Sequence, residues 1–140
     1  MTTGRIVLYN LELRKFEEFI AAIFANKGYR VELTEQTRDG GYDIIAVKDT
    51  PIAADLRVLV ECKRYRPDRP VEVAVVRGLW GLVNDPSLRA DRGVIATTSR
   101  LSRDAERAIK KSFWKLSALD HDDLMTHLGF ELEGALWLPR

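Results

Sequence analysis

Three consecutive extended runs, joined by connections too short for a crossover, constrain this chain most. In YRVELTEQ, Tyr29, Val31 and Leu33 alternate against Arg30, Glu32 and Thr34, the pattern of a strand with one wet face. TRDGG supplies the positive φ that a tight reversal needs, and YDIIAVKD follows as a second strand. TPIAADL is a polar connection with a strand-breaking proline, and RVLVECKRY is the third run. A parallel neighbour would need a crossover of roughly a dozen residues or more, so the three are expected to form an antiparallel meander. Ahead of them Leu11, Leu13, Phe16, Ile20, Ile23 and Phe24 recur at helical spacing. With Gly28 as C-cap, this predicts a helix from about Leu11 to Lys27.

After RPDRP the pattern changes to alternation of helix and strand. VEVAVVRGLWGLVND reads as a helix weakened by Gly78 and Gly81, and DRGVIATTS as a strand buried on both faces. Ser102 is placed to cap a helix through RDAERAIKKS, with Asp104 in its first turn and Lys110 and Lys111 in its last. FWKLSAL is a last core strand, Asp120 caps a short helix HDDLMTHLG, and FELEGALWLPR is expected as loop or one short strand. The order α-β-β-β-α-β-α-β-α predicts an α/β fold with a mixed central β-sheet flanked by helices. With 140 residues, 46% of them hydrophobic and no linker or repeat, one domain over 1–140 is expected. A single cysteine, Cys62, excludes an internal disulfide, and MTTGRIVLYN is too short an apolar run for a signal peptide. No window is long enough to cross a bilayer, so a cytoplasmic protein with no membrane partner is expected. Twenty-two basic against 21 acidic side chains leave a net charge of +1, so any nucleic-acid surface must gather its cations locally.

The third run raises the functional question, because Val58-Leu59-Val60 continues into Glu61 and Lys63. Side chains alternate along a strand, so these two share a face with Leu59 while Cys62 points the other way. The charges then lie at the rim of a buried stretch. Alone they read as a surface ion pair worth about 0–1 kcal/mol, and two residues apart on an extended strand they are not in ideal contact. Asp43 changes the weighing. It opens the second strand just after the glycine turn, and pairing of the two strands would let Asp43 and Glu61 converge on one cation. Two carboxylates with open positions, a backbone carbonyl and water suit Mg²⁺. Such an ion polarises a phosphoryl oxygen and lowers the pKa of water, while Lys63 orients the nucleophile or offsets charge in the transition state.

GGYD, an interval of about eighteen residues and ECK resemble the catalytic signature of the PD-(D/E)xK nuclease superfamily. More narrowly, FEEFIAAIFANKGYRVELTEQTRDGGYDIIA, VLVECKRY, VRGLWG and RGVIATTSRLSRDAERAI, in that order, resemble the catalytic domain of Mrr-type restriction endonucleases. The resemblance runs from about Phe16 to Leu128. It implies a restriction-endonuclease-like core and a metal-dependent DNA endonuclease using Mg²⁺, with Mn²⁺ as substitute. Asp43 and Glu61 match the metal ligands, joined by the Cys62 carbonyl, and Lys63 matches the catalytic lysine. The resemblance implies a further acid of the first helix, holding a water or a second ion, at Glu17 or Glu18, with Glu17, the acid after Phe16, the better match. Tyr42 stands where the superfamily's proline would be, and Glu61 where many Mrr-type domains carry glutamine. DNA is the implied partner and a homodimer the implied working unit. The family's winged-helix reader is missing from this sequence, which leaves room for a separate recognition subunit. A Holliday-junction resolvase and a non-cleaving DNA-binding subunit are the alternatives with the same fold.

Around this site a phosphate-gripping rim is expected from Arg64, Arg77, Arg100, Arg103 and the hydroxyl of Thr98, beside Thr97 and Ser99. Tyr65 is a candidate for stacking on a base, whereas Trp80 is better explained by core packing. Asp39 reads as turn chemistry and Asp120 to Asp123 as helix capping, without zinc spacing between His121 and His127.

Overall fold

The computed structural model describes residues 8–35 and 41–134, with side chains through His127. A 3-10 turn at Leu8–Asn10 leads into helix α1, Leu13–Asn26, and then strands β1 (Arg30–Leu33), β2 (Ile44–Lys48) and β3 (Leu56–Lys63). Helix α2 (Val73–Val83), β4 (Arg92–Thr97), α3 (Arg103–Lys111), β5 (Leu116–Leu119) and α4 (His121–Gly134) complete the chain. The strands lie side by side in sequence order, β1-β2-β3-β4-β5. As expected from connection lengths, β1, β2 and β3 are antiparallel, with Ile44 opposite Val60 and Ala46 opposite Val58. The two later strands run parallel, Glu61 lying beside Ile95 and Lys63 beside Thr97.

Alternation along the strands separates two apolar layers. Ile44, Ala46, Val58, Val60, Cys62, Val94 and Ala96 face α1 and Leu124 of α4. Leu59, Ile95 and Leu116 face the opposite way, onto Val76, Leu79 and Val83 of α2 and Ala105 of α3. Cys62 is therefore a core residue on the face away from Glu61, and burial with nearby carboxylates pushes its thiol pKa well up.

Local chemistry fixes the helix ends. The N–H of Tyr29 reaches the Phe24 carbonyl at 3.1 Å and that of Gly28 reaches Ala25 at 3.0 Å, a Schellman turn with Gly28 at φ +96°. Phe24 and Tyr29 seal it edge to face, ring centroids 5.3 Å apart. The Ser102 hydroxyl accepts from Ala105 N–H at 3.1 Å, as its position before α3 predicts. Asp120 and Asp123 bond reciprocally at 3.0 Å, each carboxylate to the other's backbone N–H, so the acids ahead of α4 are a cap. One expectation fails here. Phe130 to Gly134, read as loop or strand, continue α4, because Gly129 weakens a helix without ending it. Residues 135–140 and Asp39 lie outside the described residues. No helix among the described residues is long and apolar enough to cross a membrane.

Helix α2 packs closely on β4 at Gly93. A Cβ on Gly93 would meet Val83 Cγ2 at 2.8 Å, Leu79 Cγ at 2.9 Å and Leu116 Cδ2 at 3.0 Å, all on buried side chains. Gly93→Ala is expected to cost about 1–3 kcal/mol by overpacking, read as a lower urea midpoint with unchanged slope. An unchanged midpoint would mean that α2 can lift off β4 freely.

Candidate active site

Strand β3 carries its charges out of the core at the point where its partner β2 stops. Asp43 sits at that break. Its carbonyl accepts from Thr34 of the β1 side at 2.9 Å, yet its N–H donates to Val60 of β3 at 2.7 Å. In a regular antiparallel ladder both groups of one residue face the same neighbour, so the backbone turns at Asp43. Gly41, at φ +81°, precedes the turn, and a Cβ there would lie 3.0 Å from Leu82. The Asp43 carboxylate replaces the missing ladder partner, accepting Cys62 N–H through Oδ2 at 2.7 Å. Val60's carbonyl faces the β2 side, and groups two residues on point the same way, so the Cys62 carbonyl is aimed beside Asp43.

Glu61 continues the register opposite Asp43 and is 8% exposed. Its Oε2 lies 3.2 Å from Lys63 Nζ. The two charges thus touch despite their spacing along an extended strand, because both are held at a rim where few other partners compete. Burial pushes the Glu61 pKa up, Lys63 pulls it back, and Asp43 adds to the rise. Burial alone would lower the Lys63 pKa, but Glu61, Tyr65 and Asp43 outweigh it and hold the ammonium above its ordinary value.

Glu17 arrives from the α1 layer. Only 2% exposed, it falls on the buried stripe with Ile20 and Phe24, forms an ion pair with Arg14 at 3.1 Å, and hydrogen-bonds Asp43. Burial first, and Asp43 second, raise its pKa. Arg14 was not anticipated. It braces the site by also donating to the Thr34 carbonyl at 2.8 Å, and its position three residues before Glu17 was the available signal. The structure therefore brings Glu17, Asp43, Glu61 and Lys63 to one end of the sheet. Among the described residues no three His, Cys, Asp or Glu side chains are grouped so that they could hold a metal ion together. The donors present are all oxygen, and an open set of two carboxylates and a carbonyl fits Mg²⁺, which keeps water and phosphate oxygens in its shell.

The expected rim is rearranged. Thr98 is 1% exposed and its hydroxyl donates to the Tyr65 carbonyl at 2.6 Å. Thr97 donates to the Lys63 carbonyl at 2.8 Å, and Ser99 to Arg69 at 2.6 Å. Arg100 reaches the Pro67 carbonyl at 2.7 Å. These four residues clamp the segment after Lys63, whose carbonyls would otherwise be unmatched. The Thr98 hydroxyl is thus inside the fold rather than at its surface. Arg64 is exposed and donates to the Tyr9 carbonyl at 3.0 Å, while Tyr65 is half-buried with Arg69 over its ring at 4.0 Å. Arg103 is exposed at the start of α3, and Arg77 lines a cleft between α2 and α3. Trp80, expected in the core, is 42% exposed, because Val76, Leu79 and Val83 already carry α2's buried face.

A family model described as a restriction endonuclease, of the Mrr catalytic type, matches residues 8–128. No curated protein is matched. Among solved structures, the DNA modification-dependent restriction endonuclease AspBHI is similar at 25% identity and a TM-score of 0.70, over 86% of this chain and 32% of its own. MspJI restriction endonuclease, in complex with a 27-mer oligonucleotide, is similar at 20% identity and a TM-score of 0.74, over 92% of this chain and 30% of its own. A protein of unknown function, AF1548, is similar at 15% identity and a TM-score of 0.64, over 84% of this chain and 67% of its own. The chain spans about a third of the length of the two restriction enzymes, and its mixed sheet between helix layers is a restriction-endonuclease fold.

Two measurements follow from this geometry. Glu17 and Glu61 have folded pKa values above the ordinary 4.5, so the folded state binds more protons than the unfolded one. Their contribution is greatest below that value and is lost as pH rises through the folded pKa. In EDTA, Glu61→Gln is expected to raise the thermal midpoint at pH 8 relative to the parent, and to do so less at pH 5; equal effects at both pH values would contradict the assignment. Thr98→Val strands the buried Tyr65 carbonyl and is expected to cost about 1–3 kcal/mol, with Thr98→Ser recovering most of it.

Proposed function

This chain belongs to the restriction-endonuclease family with the Mrr-type catalytic domain, and on that premise we propose that it is a metal-dependent DNA endonuclease. The observation that carries the reading is the broken end of the β2–β3 ladder. There the Asp43 carboxylate is tied to the Cys62 N–H at 2.7 Å, and Lys63 stands 3.2 Å from Glu61. Asp43, Glu61 and the Cys62 carbonyl would hold Mg²⁺, with Mn²⁺ as a substitute. When bound, the ion would supply Lewis acidity toward a phosphoryl oxygen and make a coordinated water more acidic than bulk water. Lys63, kept charged by Glu61, orients the attacking water and offsets the negative charge that gathers on the phosphoryl oxygens. Glu17 accepts a hydrogen bond from a water at the α1 edge, and Arg14 holds that carboxylate in place. Arg64, Tyr65, Arg100 and Arg103 lie on or beside the segment that follows the site, which suits contact with phosphates and sugars.

DNA is the proposed partner. Cutting both strands takes two active sites, so a homodimer is the proposed working unit, with target recognition shared with a separate subunit. Plasmid, branched and methylated DNA incubated with Mg²⁺ or Mn²⁺ test the reading together. Cleavage is expected, with Lys63→Ala and Asp43→Asn each slowing it by about 10²–10³. Cleavage that survives Lys63→Ala unchanged would remove the mechanism. Cleavage confined to four-way junctions would make the chain a resolvase, and binding without cleavage a non-cleaving subunit.

A further inference from the structure

Helix α2 carries a feature that the fold does not use. Gly78 and Gly81 lie in its interior, both exposed, and a Cβ at either would meet nothing within 4 Å. Glycine in a helix interior is unfavourable compared with alanine, so packing within this chain gives no reason for either. Between them stands Trp80, 42% exposed. Bare backbone at Gly81, next to an exposed aromatic ring, is what a surface needs for close approach by a second chain.

Beside this face lies a cleft of about 220 Å³, with walls of Val76, Ala108 and Leu116 and with Arg77, Trp80 and Lys111 at its mouth. Lys115 stands over the Trp80 ring at 5.9 Å. Stretches 73–84 and 107–119 contain no Asp or Glu, while they carry Arg77, Arg107, Lys110, Lys111 and Lys115. Neither Arg77 nor Lys111 forms an ion pair among the described residues. The net charge of the chain is only +1, so this cationic frame is local. A second copy of the chain would set like charges against one another. The apolar walls suit an aliphatic or aromatic side chain better than a phosphate.

We propose that the α2–α3 cleft docks an acidic amphipathic segment of a partner protein, which inserts an apolar side chain against Val76, Ala108 and Leu116 and sets carboxylates against Arg77, Lys111 and Lys115. Gly81, one turn after Arg77, allows the segment to lie directly on the α2 backbone beside the cleft. The site is separate from the acids of β2 and β3 and does not depend on the nuclease reading.

The probe is a panel of fluorescent 16-residue peptides with Leu or Phe at helical spacing and Glu or Asp elsewhere, with order-scrambled controls. Binding is read by anisotropy and by the emission of Trp80 in a full-length chain whose other two tryptophans, Trp114 and Trp137, are replaced by Phe. Patterned peptides are expected to bind, and scrambled ones at least tenfold more weakly. Lys111→Glu is expected to weaken binding about tenfold. Gly81→Ala is the sharper variant: helix propensity predicts a higher thermal midpoint, while the added methyl weakens peptide binding. A stabilised Gly81→Ala protein that binds as well as the parent would overturn the proposal. So would absence of binding across the panel, or full displacement by a duplex oligonucleotide, which would make the face a nucleic-acid surface. Sedimentation showing a dimer that Gly81→Ala dissociates would assign the face to a second copy and overturn it as well.

Discussion

The hydrogen bond from Cys62 N–H to the Asp43 carboxylate is the contact on which the site depends. It exists because pairing with β2 stops at Ile44 and Val60 while β3 runs on to Lys63, leaving a backbone donor that a side chain must satisfy. An aspartate meets that need with a short side chain, and Glu17 meets the same carboxylate from α1. Glu61 then falls opposite by register, and the pleat alone points Lys63 the same way. Backbone geometry has brought three charged groups together before any ligand is considered. Burial, with a further push from Asp43, raises the pKa of both Glu17 and Glu61, and a divalent cation would offset the cost of keeping these acids charged.

A second constraint holds the far side of the site in place. The segment after Lys63 leaves the sheet without a strand partner, and the hydroxyls of Thr97, Thr98 and Ser99 take up its carbonyls at Lys63, Tyr65 and Arg69. Lys63 is thereby anchored at its backbone while its ammonium stays on Glu61. The parallel bridge between Val71 and Leu101 closes the same segment further along. The stretch from 97 to 101 thus serves the active site through the chain that it holds.

Much of this was legible in the sequence, for reasons that are local. Connection lengths dictated the antiparallel meander, glycine ended α1, Ser102 capped α3, and strand parity placed Glu61 and Lys63 together and Cys62 apart. The misplaced residues are those whose environment comes from a distant part of the chain. Thr98 looked like a surface hydroxyl at a strand end, but a segment more than thirty positions earlier covers it. Trp80 looked like core because it is large and apolar, yet the spacing of Val76, Leu79 and Val83 had already filled α2's inner face. Glu17 was picked out by resemblance, while its burial among Phe16, Ile20 and Phe24 was readable from helical period. Phe130 to Gly134 were misread because Glu131 and Glu133 alternate with apolar neighbours, a strand-like pattern on residues that also favour helix.

Titration with Mn²⁺ followed by electron paramagnetic resonance tests the central claim most directly, since it reads the ion without needing the right DNA. The account predicts one bound ion per chain, lost in Asp43→Asn and in Glu61→Gln but retained in Lys63→Ala. Equal Mn²⁺ binding by the parent chain and Asp43→Asn would contradict it.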